Sequence, residues 1–322
     1  MATFEAPRPA GAAAGDPAPH LGRLSLRDYR NFERLECEFP GSGVAIVGPN
    51  GSGKTNLLEA IYYLEVFRSF RGSRDAELVR FGESVFRIEG GREGVGGGTV
   101  AAAYDRPSRR KKVEVDGREM DRVSEAIGTL GVAAFRLEDV EIVRGSPGER
   151  RRYLDVVLSL TRSGYLGALQ RYRSILRQRN EALRASAGRA AVDAWTDGLV
   201  TAGAAILEAR ARWVQEGRAP FRRYHAQISG GREADMTYRS SVDRAGEGET
   251  AAPGEWADRF RTALEASAER ERRWGATVVG PHRDDIRFAA GEGDDARDLR
   301  RFGSSGQQRT AALALRLVEA DG

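Results

Sequence analysis

The chain opens, after a stretch rich in Ala, Gly and Pro, with period-two alternation. Leu24 and Leu26 alternate with Arg and Ser, and Leu35, Cys37 and Phe39 alternate with Glu. Such alternation predicts half-buried strands. Val44 to Val47 is a continuous apolar run, the pattern of a strand buried on both faces. From Thr55 the period becomes helical, with Leu57, Leu58, Ile61 and Leu64 on one stripe. Val85 to Val115 reads as short antiparallel strands. Gly90 to Gly98 reads as a flexible turn, and Asp116-Gly117 as a tight one. Val132 to Phe135 is a further expected strand.

After Gly145-Ser146-Pro147 the helical period dominates. Glu149 to Leu160, Tyr165 to Ala187, Val192 to Gln215 and Trp256 to Trp274 are expected helices, with a polar loop near Ala245 to Gly254. Thr277 to Val279 and Ile286 to Phe288 return to strand character, and a last helix starts near Gly306. This order predicts an α/β fold whose segments are a tail (1–20), a first part of a head (21–144), an inserted helical lobe (145–274) and a second part of the head (275–322).

Within this frame, Gly48-Pro49-Asn50-Gly51-Ser52-Gly53-Lys54-Thr55 fits G-x-x-x-x-G-K-S/T completely. The glycines let successive N–H groups turn onto phosphates, and the following helix N-terminus favours negative charge. Lys54 is expected at the β/γ-phosphates of ATP, and the Thr55 hydroxyl on Mg²⁺. Asn50, Ser52 and Asn56 fall in the same element. No N-K-x-D element is present, which argues against a GTPase. A second polar turn, Gly303-Ser304-Ser305-Gly306-Gln307, leads into an apolar helix and forms a second anion-binding helix start.

Charge adds a direction. Gly145 to Gly230 carries 15 Arg against 7 acidic residues, whereas Gly231 to Arg300 carries 12 Arg against 16. The basic excess suits a polyanion such as DNA, or a solvated helical surface. Arg173 and Arg177 share a helical face, and Arg109, Arg110, Lys111 and Lys112 form a basic run beside a hairpin. Both are candidates for sequence-independent DNA contact; for the hairpin run, guarding a sheet edge is the alternative. The sequence holds one cysteine, Cys37, so no intrachain disulfide can form, in keeping with a reducing cytoplasm. The three histidines lack metal-ligand spacing, which speaks against zinc. No apolar run nears the roughly 18 residues of a membrane span.

Five elements stand in order along the chain: Tyr29-Arg30-Asn31-Phe32; the loop and helix from Gly48 to Leu64; Gly145-Ser146-Pro147 with Arg150, Arg151, Arg152, Leu154 and Asp155; Gly280-Pro281-His282-Arg283-Asp284-Asp285; and Gly303 to Arg309. In sequence and order they resemble the RecF family of ABC/SMC-like ATPases. Ser305 stands where the family has Gln. The resemblance implies an ABC-type P-loop head, with Arg30 and Asn31 near the nucleotide. It implies that Ser304, Gly306 and Gln307 act as a signature on ATP held by another subunit. An ATP-dependent homodimer would then hold single- and double-stranded DNA at gap junctions, hydrolyse slowly, and help load recombinase with RecR and RecO. The family's Walker B strand, D-loop and switch histidine follow the signature helix, and the sequence stops at Asp321-Gly322. A truncated sequence with poor hydrolysis is therefore expected. Another SMC-like head, or a non-hydrolysing ATP-gated DNA clamp, are the alternatives. The sequence leaves open whether His282, Asp284 and Asp285 serve chemistry or architecture.

Overall fold

The computed structural model describes residues 20–94, 97–132, 134–186, 188–243, 254–291 and 296–321. The expected tail lies outside the described residues except for His20, and the loop expected near 245–254 lies outside them except for Gly254. The chain divides into two compact units, Met1–Val132 and Ala133–Gly322.

The first unit is built on an antiparallel sheet of order β2-β1-β3-β4-β5-β6, comprising β1 (His20–Tyr29), β2 (Phe32–Glu38), β3 (Val85–Glu93), β4 (Gly98–Asp105), β5 (Arg110–Val115) and β6 (Arg118–Glu119). Leu24 and Leu26 of β1 are buried, as their alternation predicts. Asp116 and Gly117 join β5 to β6 with φ of 51° and 74°, the double left-handed step that matches strand twist in a two-residue hairpin. Helix α1 (Lys54–Val66) and the short α2 (Asp75–Leu78) complete the unit. Its core joins Leu57, Tyr63 and Leu64 of α1 to Tyr29, Phe86, Ile88 and Tyr104 of the sheet.

Several expectations change here. The buried stripe of α1 contains Leu57, Glu59, Ala60, Tyr63 and Leu64, whereas Leu58 is 51% exposed. The face is rotated to include Glu59, whose buried carboxylate is paired with Arg30. Val44–Val47 forms no strand, and Val47 is 88% exposed. An apolar run becomes a buried strand only where neighbours satisfy its backbone, and among the described residues no strand pairs with it. Gly90–Glu93 continues β3 rather than turning, because the partner β4 extends to match it. Val132 and Ala134–Phe135 are likewise not strand, and Ala133 lies outside the described residues.

The second unit contains α3 (Val140–Arg144), α4 (Pro147–Thr161), α5 (Tyr165–Arg184), α6 (Arg189–Asp193), α7 (Thr196–Ser229), α8 (Trp256–Trp274), α9 (Leu299–Phe302) and α10 (Ser305–Asp321). A small antiparallel sheet, β7 (Ala234–Arg239), β8 (Asp285–Ala290) and β9 (Arg297–Asp298), packs with them. Helices, sheet and α10 share one core that includes Leu154, Leu207, Phe221, Met236, Phe260, Phe288 and Leu315. Helix α7 runs 34 residues, past the expected end at Gln215 and through Pro220. The proline removes the donor for the carbonyl of Glu216, an exposed position where water can replace it. Thr277–Val279 is not strand. Its backbone is satisfied by side chains instead: Thr277 N–H donates to Asn180 and Val278 N–H to Glu271.

Candidate functional site

The glycine-rich loop lies in the first unit, with Val47–Ser52 exposed. Gly53 is the N-cap of α1 at φ 101°, with no side-chain cap and no acidic residue in the first helical turn. The helix-start N–H groups and the partial positive charge of the dipole therefore meet no anionic side chain. A Cβ on Gly53 would stand 2.7 Å from both Asn31 Nδ2 and Phe32 Cζ, so only glycine fits. The Lys54 Nζ folds back and donates to the carbonyls of Gly48 and Pro49, each at 2.7 Å. These are neutral acceptors, so no carboxylate competes for the ammonium. The Thr55 side chain is exposed beside it.

The flanking residues form a brace. Asn31 donates to Ser52 O, Asn56 donates to Asn31 Oδ1 at 2.7 Å, and Arg71 donates to Asn56 Oδ1. Arg30 points elsewhere: its Nε and Nη2 reach both oxygens of Glu59 at 2.9 Å, and it also contacts Ser73 and Glu77 O. Glu59 is fully buried and also accepts from Ser69. The structure thus gathers Asn31, Asn56, Ser52 and Lys54 at the loop, and commits Arg30 to mounting the helix that carries it.

At the start of α10, Ser304 and Gln307 form a reciprocal cap. Ser304 N–H donates to Gln307 Oε1 at 2.8 Å, and Gln307 N–H donates to Ser304 Oγ at 3.3 Å. Ser304, Ser305 and Gly306 are exposed. The Ser304 hydroxyl accepts in this cap, which leaves its own proton to donate outward.

A third cluster was legible only as two separate motifs. Arg150, 2% exposed, forms a bidentate pair with Asp285, and its Nη1 donates to Gly145 O. Arg151 donates to Asp284 O at 2.8 Å. Asp155 accepts from Tyr165, Arg210 and Arg173, while Arg210 also donates to Pro281 O. Asp284 is buried and accepts from Tyr238 and Ser241, and burial pushes its carboxyl up. His282 joins Tyr172 through Nδ1 at 2.7 Å and Thr277 O through Nε2 at 3.0 Å. Burial holds its pKa down at about 4, so the ring is neutral, with Nε2 the donor. Gly280, at φ 120°, allows the turn to lie against Phe260 and the Tyr172 hydroxyl, where a Cβ would collide. His282, Asp284 and Asp285 are thus engaged in a clasp in which the Gly280–Asp285 turn meets α5 through Tyr172, β7 through Tyr238, α4 through Arg150 and α7 through Arg210. Arg210 was missed in the sequence; its only signal there is a charged residue on an otherwise apolar helical face.

Of the basic candidates, Lys111 bonds Phe67 O and Asp75 and lies 5.1 Å from the Tyr63 ring centroid. Lys112 pairs with Glu114 and Glu119. Arg109 and Arg110 are exposed, as is Arg177, while Arg173 shares Asp155.

With its glycine loop on helix α1, this α/β chain has the fold of a P-loop ATPase head of the ABC and SMC class. A solved Smc head domain from Pyrococcus furiosus is similar in fold alone (TM-score 0.50, 16% identity, covering 94% of this chain and 79% of that one). Residues 20–142 match the RecF/RecN/SMC N-terminal domain model. The chain is 37% identical over 305 residues to the DNA replication and repair protein RecF of Halalkalibacterium halodurans, covering 93% of this chain and 80% of the relative. It is 38% identical to RecF of a Synechococcus species, covering 93% and 79%. A solved structure of the recombination mediator RecF with ATP superposes with a TM-score of 0.84, at 28% identity, covering 96% of this chain and 82% of that one. The chain belongs to the RecF family.

Proposed function

We propose that this chain is an ATP-gated DNA-binding switch of recombinational repair. One observation carries the reading: a P-loop whose lysine and helix-start N–H groups face no acidic side chain, in a chain similar to a RecF solved with ATP. ATP would exchange the Gly48 and Pro49 carbonyls for its phosphates at Lys54, with Gly51, Ser52 and Gly53 shaping the loop. The exposed Thr55 hydroxyl fits a Mg²⁺ ligand; the ion would neutralise phosphate charge when bound. Ser304, with a proton free to donate, and Gly306 suit the γ-phosphate of a neighbouring copy, which makes nucleotide the glue of a homodimer. DNA at gap junctions, and RecO and RecR as partners, follow from the family, whose solved member is described as part of the RecFOR pathway.

Sedimentation with and without ATP tests this reading. The wild-type chain is expected to dimerise with ATP, Lys54→Met to lose both nucleotide and dimer, and Ser304→Arg to bind ATP but stay monomeric. Loss of nucleotide by Ser304→Arg would refute the assignment in trans.

A further inference from the structure

Arginines converge on the Gly280–Asp285 turn from three directions: Arg150 and Arg151 from the start of α4, Arg210 from α7, and Arg283 from the turn itself. Arg150 is matched by Asp285 and Arg210 by Asp155. Asp155 must also serve Arg173, whose side chain is 60% exposed. Asp284 is turned inward to Tyr238 and Ser241. Arg151 gives one N–H to Asp284 O, and Arg283 is exposed on the turn. Among the described residues neither has a carboxylate within ion-pair distance. Three of the five guanidiniums pair with two carboxylates, and counting Asp284 as well the five stand against three, a formal excess of two positive charges. Burial, and then the charge of Arg210, push the Arg151 guanidinium below its ordinary range, against the opposing pull of Asp285 and Asp284.

The backbone that carries both arginines is anchored. Arg151 sits beside the buried Arg150–Asp285 pair, and the turn carrying Arg283 is closed by Arg283 N–H to Gly280 O at 2.8 Å and held by Arg210 on Pro281 O. A guanidinium prefers planar, bidentate oxyanions. Arg173 and Arg177, one turn apart on α5, continue the charge along the surface, and an extended row suits a polyanion better than a single small anion.

We propose that Arg151 and Arg283 form a receptor for phosphodiester groups of duplex DNA, flanked by Arg173. This rests on the DNA-binding reading above and adds the residues that take the backbone.

The test is fluorescence anisotropy of a labelled duplex with ATP across a salt series, for wild type, Arg283→Gln, Arg151→Gln, Arg151→Lys and the double Gln variant. Each lost phosphate contact should flatten the slope of log K against log salt by about 0.9, and the double variant by about 1.8. Arg151→Lys should keep most of the slope, and binding of a fluorescent ATP analogue should stay unchanged throughout. Arg283→Gln sits on an exposed turn and reports even if Arg151→Gln fails to fold. Unchanged slopes in variants of a wild type that binds duplex overturn this receptor alone. A wild type that binds no duplex overturns the DNA reading as well. Weakened binding of the ATP analogue with unchanged slopes assigns the arginines to free nucleotide and overturns the proposal.

Discussion

The glycine loop at Lys54 and the clasp around Asp155 and the Gly280–Asp285 turn are built from the same materials, glycine turns and charged side chains, and use them in opposite ways. In the loop, Lys54 rests on two neutral carbonyls and the first turn of α1 has no side-chain cap. In the clasp, Asp155 accepts three donors, and Asp285 and the buried Arg150 satisfy each other. A charge kept replaceable at the surface serves an incoming ligand; a charge saturated inside the protein holds the protein together. The two regions should therefore respond oppositely to mutation.

The largest stability loss is expected from Asp155→Ala. It strands Arg210, whose side chain is 3% exposed, and should cost about 3–5 kcal/mol in urea unfolding. A cost under about 1 kcal/mol would mean that water already solvates the cluster.

Acid should weaken the clasp next. His282 is depressed from 6.5 to about 4 in the folded state. The unfolded chain therefore takes up this proton first as pH falls, and the stability contributed by the neutral ring is lost between pH 6.5 and 4. The loss should reach about 3 kcal/mol. Stability curves for wild type and His282→Gln should converge across that window; parallel curves would show that the ring does not titrate there.

Gly53→Ala should cost about 1–3 kcal/mol, from the left-handed backbone and the collision with Asn31, and should also impair nucleotide binding. Lys54→Met should change stability least, within about 0.5 kcal/mol, while removing nucleotide affinity. A strongly destabilised Lys54→Met would erase the contrast, because it would make the lysine a structural strut.

The same contrast explains what the sequence could reveal. The loop is local: eight consecutive residues contain the glycines, the lysine and the hydroxyl, so spacing alone exposes it. Helix α8 was legible to both ends, since Trp256, Phe260 and Leu264 repeat at helical spacing and Gly275 stops it in a left-handed cap. The clasp is non-local. Arg150 meets Asp285 across 135 positions, and nothing in either neighbourhood announces the other. Lys111 reads as one of four surface cations until Asp75, Phe67 O and Tyr63 are seen around it. The Val44–Val47 run misled because periodicity reports apolarity and not the partner strand that burial requires.

The distance from Arg150 to Asp285 also bears on how the chain is made. At roughly 5–20 residues per second, synthesis reaches Asp285 about 7–27 s after Arg150. The first unit, whose strands β3 to β6 pair with their neighbours in sequence, is complete in the nascent chain long before then. Helix α4 must meanwhile wait with its arginines solvated. Ribosome-arrested chains ending before and after Asp285 should thus share a protease-resistant first unit, and only the longer should protect α4.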